Sequence, residues 1–323
     1  MRWVGSTGGI CDKANHHDKP APMSKPAIVR YHACIGSLYS IDAAQFLQKL
    51  ADESVDLIVT SPPYFIGKEY DTSKSVADFE REIARLLSEL VRVLKPGASL
   101  CWQIGSHVVG GNFVPLDALI YASHRSQPLL NLRNRIVWTF DHGVHVKRRF
   151  SGRHETVLWY TKGSDYFFDL DAVRVAQKYP GKRYYKGPKK GEWSGNPLGK
   201  NPGDVWAIPN VKAKHVEKTE HPCQFPVALA RRLILSLCPL NGIVVDPYMG
   251  AGTTGFAALL TGRNFKGTDV NKNYVDIAKT RLRGLAAGSA AYREDKPIRP
   301  PGLTEAVAQR PSHFANHQGE LHE

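Results

Sequence analysis

Two hydrophobic rhythms alternate along this chain of 323 residues. Short aliphatic runs at 27–31, 55–59, 99–104, 242–246 and 265–269 have the length and composition of buried strands. Between them, apolar residues recur every three to four positions, as on one face of a helix. That spacing predicts helices over 42–50 (Ala43, Phe46, Leu47, Leu50), 79–94 (Phe79, Ile83, Leu86, Leu90, Leu94), 115–126, 226–238 and 273–285. A further helix follows the glycine-rich stretch near 252 and runs to Leu260. The 79–94 helix is expected to stop at Lys95-Pro96-Gly97, with Gly97 as a left-handed cap. Aromatic-rich strands at 135–140 and 156–161 flank a basic loop. Strands alternating with helices predict an α/β fold with a doubly wound, mostly parallel sheet.

The rhythm fades between 163 and 220. From Arg174 to Lys200 eight Lys or Arg stand against one acid, Glu192, with Tyr179, Tyr184, Tyr185 and Trp193 among them. Cations neutralise phosphates and aromatic rings stack on bases, so this insertion suits nucleic acid, with Lys182, Arg183, Lys186, Lys189, Lys190 and Trp193 as candidate contacts. A net charge of +13 agrees with a polyanionic partner. Composition is otherwise that of a globular chain, 42% hydrophobic and 23% charged. No apolar stretch is long enough to span a bilayer. Five scattered cysteines without CxxC spacing indicate neither disulfides nor zinc, and no metal site is expected. Segment 1–26 lacks the apolar centre of an export signal. It is expected to be a flexible tail, as is 288–323, and the protein to be cytoplasmic.

Two strand ends carry the chemistry. The run 55–59 leads into Thr60-Ser61-Pro62-Pro63-Tyr64, where two prolines end the ladder and stiffen the turn. Such a turn lies where open α/β sheets bind ligands. The second run leads into Asp246-Pro247-Tyr248-Met249-Gly250-Ala251-Gly252-Thr253-Thr254, and the strand after that ends at Asp269. Gly250 and Gly252 permit close approach of a ligand, and an acid at the next strand end can accept both hydroxyls of a ribose. The third glycine of a dinucleotide fingerprint and the lysine of a P-loop are both missing. An adenosine cofactor without phosphates, S-adenosyl-L-methionine, fits better.

These segments resemble, in order, the motifs of β-group DNA amino-methyltransferases, the enzymes paired with restriction systems. The resemblance spans about 27–285. Residues 55–64 are similar to the catalytic motif, Arg153-His154-Glu155 to the motif before target recognition, and His221-Pro222-Cys223-Gln224-Phe225-Pro226 to a cofactor-side motif. It implies a Rossmann-like S-adenosylmethionine-dependent methyltransferase with circularly permuted motif order: a catalytic half (27–162), a small target-recognition insertion (163–220) and a cofactor half (221–287). It also implies cofactor contacts at Asp42, Thr60, Phe225, Asp246, Tyr248, Gly250, Gly252, Thr253 and Asp269. Asp42 stands in for a Gly-Asp pair that is not clear here. Arg153 and His154 would face DNA, and Cys223 is taken as structural.

Ser61 and the Pro62 carbonyl can accept the two hydrogens of an exocyclic amine and turn its lone pair outward. Pro63 stiffens that turn, and Tyr64 would stack on a base flipped from double-stranded DNA. Catalysis is then mostly positioning. Ser-Pro-Pro-Tyr, by resemblance, favours N4 of cytosine over N6 of adenine. Three alternatives stay open: the adenine amine, an RNA or protein-glutamine substrate, and a non-catalytic DNA-binding protein. A homodimer and a cognate endonuclease as genetic partner complete the expectations.

Overall fold

The computed structural model describes residues 25–64 and 75–293, apart from 110, 126, 142, 144, 178–181 and 197. Residues 65–74 and most of both expected tails lie outside these residues. Strands β1 (Ala27–Tyr31) and β2 (Cys34–Tyr39) form an antiparallel pair. Then come α1 (Ala43–Gln48), β3 (Val55–Thr60), α2 (Val76–Val93) and β4 (Leu94–Ile104). A small hairpin of β5 (Ser106–Val109) and β6 (Asn112–Pro115) precedes α3 (Leu116–His124). Strands β7 (Leu130–Thr139) and β8 (His154–Lys162) follow, and β9 (Val205–Ala207) lies within the basic insertion. The last part runs α4 (Val227–Leu237), β10 (Ile243–Asp246), α5 (Thr253–Leu260), β11 (Asn264–Thr268) and α6 (Lys272–Ala286).

Nine strands make one sheet in the order β1–β2–β11–β10–β3–β4–β8–β7–β9. Its centre, from β2 to β4, is parallel. Side chains alternate across it: Leu57 and Val59 join the core under α4, α5 and α6, while Ile58 joins the core under α1, α2 and α3. Burial on both faces explains why these strands read as unbroken aliphatic runs. Helix α2 is held by its apolar stripe; Phe79, Ile83, Leu86 and Leu90 are buried, each worth about 1.5–3 kcal/mol.

Three expectations change. Helix α2 ends at Val93, where Leu94 turns extended, and Lys95-Pro96-Gly97 belongs to β4. Gly97 is left-handed (φ 76°) inside a bulge between β3 and β4 rather than at a helix cap. The insertion, whose fold its composition leaves open, supplies β9, which closes the sheet edge against β7, and Trp206 and Ile208 are buried. Beyond Gly288 the described chain packs back: Tyr292 lies against Phe256, and the Arg293 amide donates to Glu217 Oε1 at 3.0 Å.

Candidate active site

The chain leaves β3 toward β4 on one side and β10 toward β11 on the other. The two strands are neighbours, so the crevice between their carboxyl ends is the topological switch point of the sheet, where such folds bind ligands. A cavity of about 420 Å³ opens there. Small-molecule sites typically enclose about 300–1,000 Å³. Ser61, Pro62, Pro63 and Tyr64 form one wall; Tyr248, Gly250, Thr253, Asp269, Phe225 and Asp42 form the others. Two segments nearly two hundred residues apart in sequence therefore share one site.

Thr60, Asp246 and Gly252, expected at the cofactor, lie behind this wall. Thr60 Oγ1 donates to Asp246 Oδ1 at 2.8 Å, and Thr254 Oγ1 donates to Oδ2 at 2.7 Å. The Tyr248 amide adds a third bond to Oδ1 at 3.0 Å. With the carboxyl 1% exposed and its oxygens turned inward, Asp246 pins the end of β3 to the end of β10. Gly252 caps α5 and packs against Ala278 of α6.

Burial pushes the Asp246 carboxyl up from 3.8 to about 6, against the hydrogen bonds from Thr254, Thr60 and the Tyr248 amide. A raised acid holds its proton longer in the folded state, so ionising it costs folding free energy. The penalty is absent below the unfolded value, grows between about pH 4 and 6, and is complete above, at about 3 kcal/mol. The wild type is expected to lose stability relative to Asp246→Asn across that window and to hold a constant difference above it. Melting temperatures of both proteins from about pH 4.5 to 7.5 measure this. A difference that does not vary with pH would contradict it.

Asp269 faces the cavity. Its Oδ2 accepts the Gly250 amide at 3.1 Å and its Oδ1 the Asn271 amide at 2.8 Å, which fixes the carboxylate while burial raises its pKa. Asp42 accepts the Ala44 amide at 2.9 Å as the cap of α1, and Arg85 Nη2 meets its Oδ2 at 3.1 Å. Arg85 also pairs with Glu82, which accepts the Tyr248 hydroxyl. This chain of contacts locks the Tyr248 ring at the rim. From behind, Arg281 Nη1 donates to the Ala251 carbonyl at 2.7 Å and to Thr253 Oγ1 at 3.1 Å.

On the Ser61–Tyr64 wall the Tyr64 hydroxyl donates to Gln103 Oε1 at 3.4 Å, and Gln103 donates on to Glu155. Burial, then the charge of Glu155, holds the phenol well above its ordinary value, and a hydrogen bond with Ser61 opposes the shift. Tyr64 is therefore a neutral ring held in place. Sequence reasoning missed Gln103, Glu82 and Arg85; the last two share one face of α2 at i, i+3, the signal that could have found them. Cys223, taken as structural, is exposed and lines the cavity, because the segment 221–225 crosses its mouth.

Lys182, Arg183, Lys186, Lys189, Lys190 and Trp193 share an exposed hairpin away from the cavity. It is closed by Ser194 N to Lys182 O at 3.0 Å and Tyr184 N to Glu192 O at 3.0 Å. Arg183 is partly spent inside it, 4.1 Å over the Trp193 ring and bonded to the Gly191 carbonyl. Trp193 remains 58% exposed. Arg153 is half-buried and His154 exposed at the start of β8, and neither lines the cavity.

Residues 55–280 match the DNA methylase family. The chain is 45% identical over 251 residues to the type II methyltransferase M.BglII of Bacillus subtilis, covering 77% of this chain and 69% of that protein. It is 32% identical over 249 residues to the DNA adenine methyltransferase YhdJ of Escherichia coli K12, covering 75% and 80%. The fold superposes on a putative DNA modification methylase of Thermus thermophilus, solved with S-adenosyl-L-methionine, with a TM-score of 0.56 and 25% identity over 78% of this chain and 96% of that one.

Proposed function

The chain belongs to the DNA methylase family, and from that premise we propose that it methylates the exocyclic N4 of a cytosine flipped out of double-stranded DNA. It is a methyltransferase of the restriction-modification type, with S-adenosyl-L-methionine as methyl donor. The observation that carries the proposal is the sharing of one switch-point cavity by Ser61–Tyr64 and the acid-bearing wall. No helix among the described residues is long and apolar enough to cross a membrane.

The cavity fits the cofactor by its donor set. Asp269, held by two backbone amides, presents a carboxylate to ribose hydroxyls, and the rings of Phe225 and Tyr248 offer apolar faces to an adenine. The cofactor supplies a methyl group on a cationic sulfur. The protein's own work is to orient the amine, whose lone pair is delocalised into the base. The Ser61 hydroxyl and Pro62 carbonyl accept its hydrogens, and Tyr64 stacks on the ring. Pro63 holds these groups in register. Segments 27–162 and 221–287 act as catalytic and cofactor halves, and 163–220 reads the target.

Ser61 favours the cytosine amine, while the identity to YhdJ supports adenine as the second reading. Nucleoside mass spectrometry of DNA incubated with the protein and labelled S-adenosylmethionine decides between them. N4-methylcytosine is the expected product. N6-methyladenine would transfer the proposal to adenine, and label in RNA or protein alone would overturn it.

A further inference from the structure

Beside Tyr64 the sheet gives rise to a cationic hairpin joining β7 to β8. Its base is closed by the Phe140 amide donating to the Arg153 carbonyl at 3.0 Å, and its tip by the Val146 amide donating to Ser151 Oγ at 3.2 Å. The chain returns close to itself at Gly143, where a Cβ would lie 3.1 Å from the Gly152 carbonyl. Lys147, Arg148 and Arg149 at the tip are exposed, and Phe150 after them is 99% exposed.

The hairpin leaves the same edge of the sheet as the catalytic turn. Strand β8 runs antiparallel to β4, with Thr156 opposite Ile104, so its first residues stand at the carboxyl end of β4. There Tyr64 and Glu155 flank Gly105: a Cβ on that glycine would lie 3.1 Å from Tyr64 Cε2 and 3.2 Å from Glu155 Oε1. The base of the hairpin and the Tyr64 ring thus share one wall.

A phenylalanine wholly in water contributes no burial to the fold, and three neighbouring cations disfavour a purely apolar partner. A base stack flanked by phosphates matches both features. Extruding a base leaves a gap in that stack, which an apolar side chain can fill. We infer that Phe150 enters the duplex at the position vacated by the target base, while Lys147, Arg148 and Arg149 hold the flanking phosphates. This rests on the DNA-methylation reading and adds to it the group that keeps the base out.

The recognition context is first read from modified bases in plasmid DNA of a host expressing the protein. Two synthetic duplexes then carry that context, one fully paired and one with an abasic site opposite the target base. Phe150→Ala is expected to slow single-turnover transfer on the paired duplex by about 20-fold, the loss of one stacking contact. On the abasic-partner duplex, where extrusion breaks no pair, it should stay within about threefold of wild type. Phe150→Trp should keep the wild-type rate on both. Replacing the three cations by alanine should flatten the salt dependence of DNA binding by about two to three in the log–log slope. Wild-type behaviour of Phe150→Ala on the paired duplex, or an equal loss on both, overturns the inference. So does a change in oligomeric state without a change in rate, which would assign the face to a second copy of the chain. Wild-type protein that transfers no methyl group to any DNA would instead overturn the methylation reading, and the wedge with it.

Discussion

Replacing Tyr64 by alanine is expected to slow methyl transfer to duplex DNA by about 30-fold, from a stacking contribution of about 2 kcal/mol. S-adenosylmethionine affinity should change little, because the cofactor wall is built from the other strand end. The neutral phenol cannot serve as a base near neutral pH, since burial and the Glu155 charge hold its proton on. In the proposed mechanism its ring is the working part, and its hydroxyl, bonded to Gln103, keeps the ring from turning. Tyr64→Phe retains the ring and should lose no more than about threefold, the scale of one neutral hydrogen bond. Single-turnover transfer of a tritiated methyl group, alongside calorimetric cofactor binding, separates the two effects. Equal losses in the alanine and phenylalanine variants would move the contribution from the ring to the hydroxyl.

Gly252→Ala is expected to cost the fold about 3–4 kcal/mol and lower the melting temperature by about 10 °C. Gly252 caps α5 at φ 72°, a left-handed conformation that costs an L-residue about 1–2 kcal/mol. Its new Cβ would also stand 2.7 Å from Ala278 Cβ and 3.1 Å from Ala278 Cα, and the second of these is backbone. Relief requires α6 to move away from α5, which displaces the Gly250–Thr253 wall and weakens cofactor binding as well. Adding Ala278→Gly removes the 2.7 Å contact but leaves the one to the Cα and costs α6 about 1 kcal/mol, so it should recover only part of the loss; scanning calorimetry of both single variants and the double variant reads that coupling. A single variant as stable as wild type would show that α6 yields freely.

The central strands were legible because burial on both faces leaves an unbroken aliphatic run, as in 55–59 and 242–246. Strand β2 was not: its Cys-Ile-Gly-Ser-Leu-Tyr carries small and polar residues, and only pairing with β1 and β11 makes it a strand. Strand β9 was hidden because it is only three residues long and lies in a segment whose composition speaks of a loop. The Lys95-Pro96-Gly97 stop fell within a residue of the true helix end at Val93, but its glycine caps no helix. The helix ends because Leu94 joins β3 in the sheet, a long-range pairing that local capping rules do not contain.

By itself the sequence determined the α/β class, the two strand ends that bear chemistry and the cationic character of the insertion. Each follows from local spacing, chain stiffness or composition. The tertiary structure alone decided which side of the cavity wall each residue occupies. Asp246 and Asp269 look alike in sequence, each an acid at a strand end before a loop. Hydroxyls of Thr60, 186 positions away, and Thr254 draw Asp246 inward, whereas two amides fix Asp269 at the cavity. A hydrogen bond between distant segments exists only once the sheet has brought them together, and no local pattern records which partner each acid meets.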